Sequence, residues 1–269
     1  STGNSTDFGD LTQSRQYTAS VSDGSRGMCM GGGNASGTPF ATTDYITIGS
    51  AGNATDFGDP TVTRAGGAGV SDGLYAIMGG GYYSGGKADT LDYYTISTPG
   101  NATDFGDLLA AILIPGGVND ATRGVFLGGN DVDGDRIDTI QYITMATTGN
   151  STDFGDLTNP TAYGAGGVDN SVRGIMHTGT EDGVGLTNKI EYITIQTTGN
   201  ASDFGDATVA RFSAGGCGNQ TRGIWCGGKV ASGGTTDTID YVTIDTTGNA
   251  TDFGNMQQGK QGMSACSGT

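Results

Sequence analysis

The chain has 269 residues, of which 52 are glycine and 34% are hydrophobic, and 28 acidic against 12 basic side chains leave a formal net charge of −16. That length suits one large all-β domain or two ordinary ones, and so acidic a surface repels phosphate backbones and anionic lipid headgroups, which argues against a nucleic-acid partner. The longest apolar run, LLAAILI at 108–114, is far short of the roughly 20 residues of a membrane-spanning helix, and the N-terminal STGNSTDFGD has no basic-then-apolar signal pattern.

The first element is a refrain, GNSTDFGD, starting at Gly3. It returns at Gly52, Gly100, Gly149, Gly199 and Gly248, every 48 to 50 residues, and a fixed period of that size marks a repeat architecture. Between refrains the same elements follow in order. A strand of small residues passes through Val21, Val70, Val118, Val168 or Cys217 and ends in a turn. A second strand, such as TRGIWCGG at 221–228, stops at paired glycines. A polar loop that differs in every copy comes next, and then a strand such as DTIDYVTI at 237–244, whose alternation is that of a half-buried strand. The following refrain supplies a fourth strand with one aromatic. Four short strands per ~50 residues, divided by Gly, Asn and Asp turns and without a helical window, describe a propeller blade.

The second strands begin with Arg26, Arg123, Arg173 and Arg222, with Leu74 or Tyr75 in that place in the second copy. They end on Gly31-Gly32, Gly79-Gly80, Gly128-Gly129 and Gly227-Gly228, with HTG in the fourth copy. The third strands carry Tyr45, Tyr93, Tyr142, Tyr192 and Tyr241, and the refrains carry Phe8, Phe57, Phe105, Phe154, Phe204 and Phe253. This set resembles the kelch motif, with phenylalanine where that family usually has tryptophan. The GNSTDFGDLT wording of 3–12 and 149–158 is similar to the kelch-like repeat proteins of marine bacteriophages, which are usually regarded as virion or tail-associated. The expected fold is therefore all-β: a five-bladed kelch-like β-propeller of four-stranded antiparallel blades, one domain over residues 1–269, its ring closed by strands from both termini. The refrain occurs once more than the blades require. Either the N-terminal STDFGDLT or the C-terminal TDFGNMQQ completes the last blade, and the other is frayed, packed on an edge, or donated to a neighbouring subunit in a homo-oligomer.

Within the refrain, Asn suits left-handed turn geometry, Asp before Phe can cap backbone N–H groups, Phe fills the gap between blades, and Gly lets backbones approach. The paired carboxylates, such as Asp56 and Asp59, also raise calcium as an alternative role. The N-x-S/T triplets at Asn4, Asn53, Asn101, Asn150, Asn200 and Asn249 read as structural turns. The four cysteines, 29, 217, 226 and 266, include no CxxC pair and fall in apolar columns, Cys29 with Ile77, Phe126, Met176 and Trp225, which points to small core residues rather than disulfides. His177 falls in the column of Met30, Met78, Leu127 and Cys226 and reads as a partly buried structural residue. With one histidine, three-histidine zinc sites and the tyrosine-cysteine-histidine copper set of kelch oxidases cannot be assembled.

Function is expected where the copies differ. The loops NASGTPFATT, GYYSGGKADT, NDVDGDRIDT, TEDGVGLTNK and KVASGGTTDT project to one face of the disc, and variable loops on a rigid ring make a binding surface. Phe40, Tyr82, Tyr83, Arg136, Glu181, Asp182 and Lys229 are the binding residues expected there, the tyrosines as flat faces for sugars. Asp131, Asp133 and Asp135, at alternate positions beside Asn130, resemble the opening of a calcium loop, although the distant glutamate of an EF-hand is missing. Carboxylates abound, which keeps a polysaccharide-degrading enzyme as a third alternative after a purely structural virion component, but nothing marks a glycosidase pair. The expected function is a non-enzymatic binding or structural module, on a virion or otherwise extracellular. It would contact host-surface glycan or protein, or other virion proteins, with no membrane insertion and no cofactor beyond calcium.

Overall fold

The computed structural model describes residues 4–266, apart from the side chain of Ala165; Gly3, where the first refrain begins, lies outside them. Five antiparallel sheets of four consecutive repeat strands form a five-bladed β-propeller. The strands of the first blade are Ala19–Ser22, Arg26–Met30, Thr43–Thr47 and Thr55–Gly58. Those of the last are Gly215–Gly218, Arg222–Cys226, Thr238–Thr243 and Thr251–Asn255. In each blade the innermost strand is the small-residue one and the outermost is a refrain. Departures come from the loops: Tyr82–Tyr83 pairs with Gly86–Lys87 as a separate hairpin, and the third blade's outer strand, Thr152–Ala162, takes on Thr180–Glu181 from the next blade's loop.

A single sheet of this kind has two apolar faces and can cover neither alone, so the core lies between blades. Four buried clusters fill the four seams from the first blade to the fifth. In the first, Val21, Met28 and Phe57 meet Ala76, Tyr94 and Ile96 of the second blade. The next three repeat the plan around Phe105, Phe154 and Phe204. Each phenylalanine is at most 4% exposed and meets the tyrosine of its own blade edge-on, with centroids 5.7–6.0 Å apart, the arrangement their ring quadrupoles favour. Above the tyrosine lies the arginine of the second strand, 4.5 Å from the ring for Arg123 and Tyr142. The guanidinium groups of Arg26, Arg123 and Arg173 donate to carbonyls of the following blade, Arg173 to that of Ile244.

The refrains form a second, outer set of joints. The amide of Gly52 donates to Phe8, that of Ala54 donates to Asp10, and the amide of Asp10 donates to Asn53 Oδ1. The same three bonds recur from refrain to refrain, with Asn101, Asn150, Asn200 and Asn249 as side-chain acceptors. Asn therefore works as a cross-link to the preceding refrain, and among the described residues no Asn takes a left-handed backbone. The expected capping by the Asp before Phe is also absent among the described residues. Asp56 lies exposed on its strand, as period-two alternation requires once Phe57 points inward. Glycine does permit close approach: a Cβ on Gly58, Gly106, Gly155 or Gly205 would overlap the next refrain's glycine carbonyl.

Thr251–Asn255 of the sixth refrain completes the fifth blade. The first refrain belongs to no sheet and packs between the sixth and second. Ser5 donates to the Asn255 carbonyl and Asn255 to Asn4 Oδ1, so both termini close the ring. In the second blade Tyr75 pairs with Thr95 as Arg26 does with Thr47 and takes the arginine's place. Met78, not Ile77, then matches Cys29, Gly79 rather than Met78 matches His177, and the left-handed glycine pair is Gly80-Gly81. The cysteines are free and half-buried, and burial pushes the Cys217 thiol up to about 12.

The inner strands surround a channel of about 240 Å³. Each of the five is entered through a left-handed residue, Tyr17, Gly66, Ile114, Tyr163 or Ser213, and Gly262 of the C-terminal segment takes the same conformation. Several of these are joined head to tail, Gly66 donating to Tyr17 and Tyr17 to Gly262, both at 2.7 Å. A left-handed backbone costs a residue with a Cβ roughly 1–2 kcal/mol. Ser213→Gly, which copies Gly66 and Gly262, is expected to stabilise the fold by about 1 kcal/mol and raise Tm by about 2–4 °C, measured by thermal unfolding.

Candidate binding face at the channel mouth

The residues just before each inner strand lie beside the variable loops. Isolated bridges tie Gln16 to Gly33, Ala65 to Tyr82, Leu113 to Asn130 and Phe212 to Lys229. The loops and the channel mouth therefore form one face. Around that mouth stand Tyr17, Tyr82, Leu113, Ile114, Tyr163 and Phe212, all half-buried. Tyr163 and Phe212 meet edge-on at 6.0 Å, and Lys229 Nζ lies 5.8 Å from the Phe212 ring centroid. Burial, with Tyr163 adding to it, raises the Tyr17 hydroxyl above its ordinary value. Burial and the neighbouring Tyr17 do the same to Tyr82. Both phenols are thus neutral donors across the physiological range.

Tyr82 leans over Gly66, and its hydroxyl lies close to Gly33. Tyr83, on the same hairpin, is 39% exposed. Phe40 is half-buried and held by its amide on the Gly32 carbonyl at 2.7 Å. Neighbouring loops are clasped together. The Lys87 ammonium donates to the Asp131 carbonyl, and Arg136 reaches Thr180 Oγ1 at 3.2 Å and exposed Asp182 at 3.7 Å. Glu181 departs from expectation. It is 3% exposed, accepts from Asn159 Nδ2 at 2.9 Å and Thr178 Oγ1 at 3.1 Å, and pairs with Lys189 at 3.5 Å. Its β-bridge to the third blade's outer strand turns it inward.

The DVDGD loop is a hairpin end. Asp131 Oδ1 accepts the amides of Asp133, Gly134 and Asp135 at 3.0–3.1 Å, capping the turn with its carboxylate. Among the described residues no group of three or more His, Cys, Asp or Glu side chains is placed to hold a metal ion. His177 is fully buried, beyond the partial burial expected. Burial, with Arg211 nearby, pulls its pKa down to about 4. Its Nδ1 accepts from Gly179 at 3.2 Å, and Nε2 has no partner.

The opposite end of the channel is polar. There Asp169 accepts from the Asn119 amide at 2.9 Å, Asn119 Oδ1 accepts from the Ser71 amide at 3.0 Å, and burial pushes the Asp169 carboxyl up to about 6. Tyr17, Ile114, Tyr163 and Phe212 were not among the residues expected from sequence. Their signal is a pair of columns, Gln16-Tyr17, Ala65-Gly66, Leu113-Ile114, Ala162-Tyr163 and Phe212-Ser213, that vary inside an otherwise repeated sentence. In comparisons with known proteins, the sequence matches no protein-family model and no curated protein.

Proposed function

We propose that this propeller is a non-enzymatic, kelch-like binding module of a bacteriophage virion, tail- or fibre-associated, whose loop face holds a host-surface glycan or protein. The observation that carries the binding reading is the ring of aromatic and aliphatic side chains at the channel mouth, with Tyr83 exposed beside it. Apolar pyranose faces stack on such rings, and neutral tyrosine hydroxyls supply hydrogen bonds to sugar hydroxyls. The acidic net charge favours neutral or basic ligands over phosphate-rich ones. The virion setting rests on the wording of the refrain. The full enclosure of His177, beside the buried Arg211–Asp240 ion pair, supports a packing role for that residue. Weak contacts of this kind gain strength when several copies sit on one particle.

A glycan array of bacterial surface polysaccharides, run with calcium and with EDTA, tests the reading. Binding is expected to weaken about tenfold in Tyr83→Ala, as for loss of one anchoring aromatic. Silence across the panel, with no binding to whole host cells, overturns it. The EDTA arm decides separately whether calcium acts at Asp131, Asp133 and Asp135.

A further inference from the structure

We propose that the half of the central channel away from the loop face is a binding site for one primary ammonium group on a slim organic body, with Asp169 as its counter-ion. This site is separate from the loop face and does not depend on what that face holds. Ser71, Asn119 and Asp169 each end an inner strand and line the channel. The strands that carry them lie backbone against backbone: a Cβ on Gly117 or Gly167 would overlap the carbonyl of Gly69 or Gly117 on the preceding inner strand. This wall belongs to the second, third and fourth blades and includes no residue of the C-terminal segment.

The charge of Asp169 has no role in that wall. Asn119 Oδ1 accepts the Ser71 amide at 3.0 Å, and Asp169 Oδ2 accepts the Asn119 amide at 2.9 Å. The two bridges are the same bond one blade apart, and a neutral carboxamide makes the first as well as a carboxylate makes the second. Asp169 is nevertheless the one charged side chain among the described residues that line the channel. It forms no ion pair among them, and the charge that acts on it is another carboxylate, that of Asp120. With its carboxyl raised to about 6 by burial, Asp169 carries its charge at about pH 7. An enclosed anion without a cation costs stability, and such an acid in a cavity points to a ligand rather than to the frame.

The surroundings specify the ligand. An ammonium group brings three donors and no acceptor, and Asp169, Asn119 Oδ1 and the Ser71 hydroxyl are acceptors at three successive strand ends. The Ser71 Oγ takes the Gly73 amide at 3.0 Å and keeps a second lone pair. One carboxylate is too few for a calcium ion, which asks for six to eight oxygens. The channel, at about 240 Å³, falls just below the roughly 300–1,000 Å³ of sites for drug-sized molecules. It has room for one pyranose ring or a short alkyl chain, so an amino sugar and a small diamine share the required chemistry.

Putrescine and glucosamine, each beside its uncharged counterpart, butanediol or glucose, are titrated into the native chain at physiological salt by calorimetry and NMR. At least one amine is expected to bind one to one and shift the amide resonances of Asn119 and Ser71, and the uncharged compounds are not; the tighter amine tells whether the body is a sugar or a chain. Asp169→Asn keeps an acceptor for the Asn119 amide, so without ligand it is expected to hold or raise Tm, while amine binding weakens at least tenfold. Asp56→Asn, on the exposed outer rim, leaves binding unchanged. The resonance shifts are read on the native chain and stand whatever the variant's stability. Four results overturn the proposal: no saturable binding of either amine, equal binding of its uncharged counterpart, an Asn119 amide that does not move, or Asp56→Asn weakening binding as much as Asp169→Asn.

Discussion

Alanine in place of Phe154 is expected to cost about 3–5 kcal/mol, the range for emptying a buried aromatic site, whereas Phe253→Ala costs roughly 1 kcal/mol and Phe8→Ala less. The three share one sequence context and differ in what lies across the seam. Phe154 is 3% exposed and closed in by Ile193, Ile195 and Ala201 of the next blade. Phe253 keeps its edge-on contact with Tyr241 at 6.0 Å but is half-buried, and Phe8 is 38% exposed. Urea denaturation of the three variants measures the gradient. Equal losses would mean that the fifth-to-first seam is packed like the others.

Acidification is expected to expose the second large effect. The pKa of His177 lies near 4 in the fold and near 6.5 in an unfolded chain. Between those values the unfolded chain binds a proton that the fold refuses. The contribution is complete above about pH 6.5 and lost as pH falls toward 4, amounting to roughly 3 kcal/mol at the acid end. His177→Leu, which copies Leu127 of the third blade, removes this one-proton slope. It also leaves the Gly179 amide without its Nδ1 acceptor, which costs about 1–3 kcal/mol at every pH. The diagnostic quantity is therefore the difference in slope between variant and native chain across pH 4–6.5. Parallel curves would place the imidazole in contact with water.

The repeated columns were legible in the sequence because one physical demand fixes each of them. A seam needs an aromatic of one size, so Phe57, Phe105, Phe154 and Phe204 do not vary, while the blade count follows from the five third-strand tyrosines. The role of Asn was misread because a left-handed turn and a side-chain acceptor favour the same residue, and only the register between refrains separates them. The second blade slipped by one because Tyr75 fills the arginine's place by stacking edge-on against Tyr93 at 5.4 Å. Glu181 looked like a loop carboxylate, and a two-residue bridge to another blade turned it inward. The channel mouth was the least legible part. It gathers single residues from units nearly 50 positions apart, with a left-handed backbone that nothing about Tyr, Ile or Ser announces.

The belt of refrains has a genetic corollary. Each unit grips the next through the same three polar bonds and one glycine contact, so the coupling carries no record of which neighbour it was made for. A tandem duplication or deletion of one unit leaves every remaining joint chemically satisfied, while the loops on the other side of the blade drift independently. The contacts between refrains therefore place no constraint on which unit follows which, and changes in the loop tips leave them untouched.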